Sequence, residues 1–320
     1  MILNALSNYN NDTDTRFGDC IMLVDTHDLV VYDCGHEDHA DYVESFLENN
    51  SDIIKIHIVV SHNDADHTEG VCPLLNWLSD KGKYAVKVYT HQYLKHLDEI
   101  LDKIDDGRRS REKLKEALLK EFDNIKKIIE KAQDLKFACI EALRDTYVGN
   151  CQIVGPTVEE FTEVAAKAVD SRESNDIGEG NSKETVMNAA SVQIKCTLDD
   201  EETVLLCGDA SPDYLKNLNN YDVIQLPHHG QLDDAKAIFE KLKGDAYCKG
   251  YLISDNTGSA ENSGGSNDLV EYMKKEKYSP AFNTKDGVVN LPKESSSNQS
   301  KSQRRKCLGD MDSIRRIGRR

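Results

Sequence analysis

Short apolar runs separated by turn signals open the chain. The runs at 20–24 and 29–32 flank a polar turn at 25–28, which is the signature of a β-hairpin. The β-branched run at 53–60 is too short for an ordinary helix and ends directly in Ser61-His62, so it predicts a strand. Helices are expected over 42–47 and 73–78, with a strand over 84–89. From His91 to Arg144 the period changes. Leu94, Leu97, Leu101 and Ile104 fall on one helical stripe. After Gly107, a second stripe runs through Leu114, Leu118, Phe122, Ile125, Ile129 and Ala132. Two long helices in a highly charged background are predicted.

Beyond it the pattern predicts strands at 152–154, 191–196, 203–207, 223–226 and 246–253. Helices are expected near 158–169, 212–218 and 235–242, and the polar stretch 170–183 reads as a loop. A β-rich start followed by β and then αβαβ implies an α/β chain with two sheets flanked by helices. The expected organisation is one domain over 1–292 and a disordered basic tail over 293–320.

Composition narrows the class. No apolar run approaches the ~18 residues of a membrane span, and the N-terminus lacks the basic start and apolar core of a secretory signal. Nine scattered cysteines contain no Cys-x-x-Cys pair, which argues against a disulfide framework or a thiolate zinc site, so a cytoplasmic protein is expected. The net charge is −17, but residues 293–320 hold nine Lys/Arg against three Asp/Glu, leaving −23 on residues 1–292. Such a body repels polyanions unless bound cations or the tail reverse the field locally.

The candidate chemistry sits at strand ends. SHNDADHTEG at 61–70 places His62, Asp64, Asp66 and His67 within six positions after an apolar strand. VLLCGDAS ends another strand in Gly208-Asp209, and VIQLPHHG ends a third in His228-His229-Gly230. A single Asp after a strand is as readily a cap or turn residue. Three strands delivering metal-type ligands at their C-terminal ends point to a metal site. His36, Glu37, Asp38 and His39 follow a turn glycine and read as a solvated loop; His91 and His96 read as surface residues, Cys34 and Cys207 as buried thiols. There is no phosphate loop with its lysine and no Gly-x-Ser-x-Gly elbow.

These residues carry a resemblance. Tyr32-Asp33-Cys34-Gly35, then His-x-Asp-x-Asp-His-x-x-Gly, Gly-Asp and Pro-His-His-Gly, in that order, resemble the metallo-β-lactamase fold in its ComEC-type DNA-internalisation subgroup. FGDCIML at 17–23, Asn188 with Ser191, and NTKDGVV at 283–289 match the same subgroup. The resemblance covers most of 1–92 and 150–291; it covers neither the tail nor the helical block 93–149, which it therefore marks as an insertion. It implies a four-layer αββα sandwich and two divalent ions, zinc or manganese. His62 and Asp64 would hold one ion, Asp66, His67 and one of His228 and His229 the other, and Asp209 would bridge both, with Asp33 supporting from behind. Asp64 stands where the commoner motif has histidine, and Asn188 roughly where it has a third. Oxygen in place of nitrogen tilts selection toward Mn²⁺ or Mg²⁺ relative to Zn²⁺. The subgroup's Gly-His-Pro is missing from 253–268, where Ser266 stands roughly in its place. The member of the histidine pair that is not a ligand would then protonate the leaving group, or the chain would act more slowly. With His229 as ligand, His228 joins Asp66 and Asp209 as a catalytic candidate.

Paired divalent ions acidify a shared water and brace the oxygens of the group attacked. The expectation is therefore a nuclease or phosphodiesterase acting on DNA. The alternatives are hydrolysis of a small ester or cyclic nucleotide, or a regulatory subunit docking on a partner. An amphipathic helix ordinarily buries its stripe in its own domain. Two helices cover only part of both faces, so 93–149 is the expected surface for a protein partner or self-association.

Overall fold

The computed structural model describes residues 1–6, 18–104, 110–174, 186–255 and 267–293, so Gly107, Ser266 and nearly all of the basic tail lie outside the described residues. The strands are β1 Ile2–Ala5, β2 Ile21–Val24, β3 Asp28–Tyr32, β4 Lys55–Val59, β5 Ala85–Thr90, β6 Ala138–Glu141 and β7 Tyr147–Val148. They continue as β8 Cys151–Gly155, β9 Gln193–Thr197, β10 Thr203–Leu206, β11 Val223–Gln225, β12 Gly250–Ile253, β13 Ala281–Asn283 and β14 Val289–Leu291. One sheet has the order β14-β1-β2-β3-β4-β5-β6, the other β13-β12-β11-β10-β9-β8-β7. In each, an antiparallel group leads into a run of four parallel strands, β3 to β6 and β10 to β13.

Burial on both faces explains the apolar runs. In the β2–β3 hairpin, Ile21, Leu23, Val30 and Tyr32 enter the cluster between the sheets, while Met22, Leu29 and Val31 enter a second cluster under helices. A strand covered on both sides is apolar at every position. In the other sheet Val204 and Leu206 face inward, and Leu205, Ile224 and Tyr251 pack outward with Phe239 and Leu242 of the helix Leu232–Leu242. Helix, sheet, sheet, helix is the αββα sandwich that the sequence predicts.

Several elements differ from expectation. The helix predicted at 42–47 runs Glu37–Asn49, because the His36 side chain caps its N-terminus by accepting from the Asp38 amide. His39 is consequently buried inside that helix rather than in a solvated loop. His91 is buried as well, its Nε2 2.9 Å from the Ala190 carbonyl and its ring 4.4 Å from that of Phe161. His96 is half-buried beside Glu141 at 2.5 Å. The helix Val158–Ser174 continues through the first part of the predicted loop. The helix expected at 212–218 is two 3₁₀ turns, Pro212–Tyr214 and Leu218–Asn220, separated by Asn217 in the left-handed region. The 3₁₀ turn Lys243–Cys248 takes the start of the strand expected at 246–253. β1, β13, β14 and the helix Asn267–Glu276 have apolar patterns too short to read.

The segment 93–149 is not wholly helical. Tyr93–His96, Leu97–Ile104, Arg111–Glu121 and Asp123–Asp134 are helical, and then β6 and β7 add an edge strand to each sheet. Leu101, Ile104, Leu114, Leu118, Phe122 and Ile125 are buried in the core under the first sheet. The helices Val71–Lys81 and Val158–Ser174 supply cover that the pair alone lacks. Most of the stripe residues therefore pack inside this chain, while Leu94 stands exposed. Among the described residues no helix is long and apolar enough to cross a membrane.

Candidate metal centre

The C-terminal ends of β3, β4, β10 and β11 meet at one edge of the sandwich. Two bonds tie the sheets there: the Tyr32 hydroxyl donates to the Val192 carbonyl at 2.6 Å, and the Val192 amide donates to the Ser61 carbonyl at 2.9 Å. The β10 loop approaches closely because Gly208, at φ +49, has no Cβ; one there would come within 2.8 Å of Ser61 Oγ.

Three histidines are held in the same way. His67 Nδ1 lies 2.8 Å from Asp33 Oδ2, while Asp33 Oδ1 accepts the Ser61 amide at 2.7 Å. His62 Nδ1 meets the Ser61 hydroxyl at 2.9 Å. His229 Nδ1 lies 3.0 Å from both Asp19 Oδ1 and the Ser254 carbonyl. With every Nδ1 engaged, each ring turns its Nε2 to the centre, the atom left to meet a metal.

The Nε2 atoms face carboxylates. His62 Nε2 is 3.7 Å from Asp209 Oδ2 and 3.7 Å from Asp64 Oδ2, and His67 Nε2 is 3.5 Å from Asp209 Oδ1. His229 Nε2 is 3.2 Å from Asp66 Oδ2. Asp209 thus turns one oxygen to each of two histidines. His62 Nε2, His67 Nε2 and Asp209 Oδ1 are buried without a hydrogen-bond partner. Two ligand atoms on one tetrahedral zinc stand about 3.4 Å apart, so these gaps suit a shared cation. Two buried triads have ligand atoms within 4.8 Å of one another: His62, His67 and Asp209, and Asp19, His67 and His229.

The electrostatics agree. Burial opposes ionisation of Asp209, but the His67 and His229 imidazoles hold its carboxyl well below the usual range. Burial would lower the pKa of His67, yet Asp209 and Asp33 push it well above an ordinary imidazole; Asp209 and Asp19 do the same for His229. Asp66 and Asp64 are also depressed against burial, chiefly by His229 for the first and His62 for the second. Five aspartates around three imidazoles leave negative charge that divalent cations would neutralise.

Of the predicted residues, His62, Asp64, Asp66, His67, Asp209 and His229 come together. Asp33 stands behind His67, and Asn188 donates from Nδ2 to Asp64 Oδ2 at 2.9 Å. His228 and His229 both adopt left-handed backbone, φ +50 and +54. Within the pair it is His229 that reaches the cluster, whereas His228 Nδ1 turns to Asp234 Oδ2 at 2.6 Å. Sequence reasoning missed Asp19, although it lies inside FGDCIML. Gln225 Nε2 donates to Asp19 Oδ2 at 2.6 Å, and Gln225 Oε1 accepts the Cys207 and Gly208 amides, so one amide links Asp19 to the Asp209 loop.

No protein-family model matches the chain, and no curated protein matches it. Among solved structures, the metallo-beta-lactamase fold protein YhfI from Bacillus subtilis aligns over 88% of this chain and 96% of its own, at 13% identity and a TM-score of 0.46. A putative metallo-beta-lactamase from Thermotoga maritima covers 65% of this chain and 76% of its own at 11% identity, TM-score 0.33. A long form RNase Z from yeast covers 78% and 36% at 14% identity, TM-score 0.35. Likeness at this level assigns no activity, and the architecture stands on the sheet order and layers above.

Proposed function

We propose that this chain is a metal-dependent phosphodiester hydrolase of the ComEC type, cleaving DNA with two divalent ions, manganese or zinc. The observation that supports it most is that three imidazoles, each fixed at Nδ1, turn Nε2 toward the carboxylates of one buried cluster. His62 and Asp64 would hold one ion, Asp66, His67 and His229 the other, and Asp209 would lie between. Bound ions would supply a water acidified toward hydroxide and positive charge beside the phosphate. The chain's own part is to fix the ligands: Asp33 and Asp19 keep the Nδ1 protons of His67 and His229 in place, and Asn188 orients Asp64. His228, braced by Asp234, is assigned to hand the proton to the leaving oxygen.

The test is metal analysis of the purified chain, followed by assays on single- and double-stranded DNA, RNA and a chromogenic phosphodiester with Mn²⁺ and with Zn²⁺. Two ions per chain and DNA cleavage that Asp209→Ala abolishes are expected. One ion or none in well-folded protein overturns the two-ion reading. Hydrolysis of the small ester alone would move the assignment to a small-ester or cyclic-nucleotide hydrolase.

A further inference from the structure

A second polar cavity, of about 300 Å³, opens on the outer face of the second sheet. It contains none of the residues of the metal cluster. Ile153, Ile194 and Cys196 point into the core between the sheets, so Gln152, Val154, Gln193 and Lys195, which alternate with them, face outward and line this cavity. Arg144 and the loop through Lys216 and Tyr221 close its sides.

Its polar groups are built in, and three of them keep charge or donor capacity that the fold leaves unused. Gln193 is 2% exposed, yet its Nε2 has no hydrogen-bond partner. Gly155 makes the seat for that amide, since a Cβ there would lie 2.7 Å from Gln193 Cδ and Oε1. Arg144 and Lys195 are both half-buried. The Arg144 Nε donates to the Val154 carbonyl at 2.9 Å, and among the described residues no carboxylate lies within ion-pair distance of either cation. Lys216 differs, being paired with Glu160. Asp145 also lines the cavity, but it is exposed and its Oδ1 accepts from Gln152 Nε2 at 3.3 Å. In a chain of net charge −17, two half-buried cations without a carboxylate partner among the described residues, beside a buried unused amide, are an arrangement for an anion.

We infer that this cavity binds a phosphate group. A guanidinium takes two phosphate oxygens at once, a lysine acts as a point charge, and the Gln193 amide offers a neutral donor to another oxygen. The volume falls at the small end of the range for small-molecule sites, ~300–1,000 Å³. The phosphate comes either from a free mononucleotide or from the backbone of a nucleic acid that also reaches the metal centre. The site does not depend on the hydrolase reading, since none of its donors belongs to the cluster.

The experiment is calorimetric titration of the full chain with inorganic phosphate, adenosine monophosphate, a short oligonucleotide and malonate, repeated on Lys195→Gln, Arg144→Gln and Gln193→Leu. Saturable binding of a phosphate ligand is expected, weakened about tenfold or more by loss of either cation, with metal content unchanged. Gln193→Leu should weaken binding without lowering the melting temperature, because it removes a buried donor that the fold leaves unused. Binding of the mononucleotide identifies a small-molecule site, and binding of the oligonucleotide alone identifies the backbone. Absence of saturable binding, equal binding of malonate, or binding that survives all three variants and disappears in Asp209→Ala would each overturn the inference.

Discussion

Asp19 braces the His229 ring at Nδ1 and is tied through Gln225 to the Asp209 loop, so its removal withdraws support from behind the cluster. Asp19→Ala leaves His229 Nδ1 with the Ser254 carbonyl alone, and loss of such a support costs about 10–100-fold in metal affinity. Competition titration with a chromogenic chelator measures it, and an unchanged affinity would mean that Ser254 alone orients the ring. His91 makes a prediction about acid. Burial, with His62 adding to it, lowers its pKa to about 4, against ~6.5 in the unfolded chain. Between those values the unfolded state binds a proton the folded state refuses, so this stability is complete above about pH 6.5 and falls as the pH drops toward 4. At pH 5 the wild type should lose about 2 kcal/mol relative to pH 7 that His91→Gln retains, as read from urea midpoints at the two pH values. The histidines and aspartates that gather in the cluster were legible as candidates because each strand announces its end and the metal-type side chains follow at once. Asp19 and His91 were not, since their roles come from partners 210 and 99 positions away.

The helix Asp123–Asp134 has no side-chain cap of its own and takes one from the ligand loop. Asn63 Oδ1 accepts the Ile125 amide at 3.0 Å, and Asn124 Nδ2 returns a bond to the Asn63 carbonyl at 2.9 Å. Asn63 stands between His62 and Asp64. Asn63→Ala should therefore cost about 1 kcal/mol of stability as a lost cap, and should weaken metal binding although every ligand remains. Equal metal affinity in a destabilised Asn63→Ala protein would show that the helix does not steady the loop. Deletion of 93–149 has an expected outcome too. It removes β6 and β7 from the sheet edges and Leu114, Leu118, Phe122 and Ile125 from the core, so the product should fail to fold. A soluble, metal-loaded deletion would refute this. Helical spacing displayed the two stripes clearly, but periodicity reports which residues want cover and not what supplies it. β6 and β7 were hidden because four and two residues are too few to show a period of two.

For the whole molecule the largest unmatched quantity is charge. A DNA-cleaving reading requires a body of −23 to meet a polyanion, and the opposing +6 of residues 293–320 lies almost entirely outside the described residues. The clustered histidines and aspartates lie at one edge of the two sheets, so cations bound there would reverse the field within roughly one Debye length of ~8–10 Å at working salt. Longer-range attraction has to come from the tail. Removing residues 293–320 should weaken DNA binding and flatten its salt dependence, each lost phosphate contact taking about 0.9 from the slope of log affinity against log salt on duplex DNA. Hydrolysis of a small chromogenic phosphodiester should not change, because that substrate needs no steering and none of the proposed ligands lies beyond His229. The two measurements separate recruitment from chemistry. A truncated chain with an unaltered slope would show that the tail does not touch DNA, and an equal loss of small-ester hydrolysis would show that it supports the fold or the centre instead.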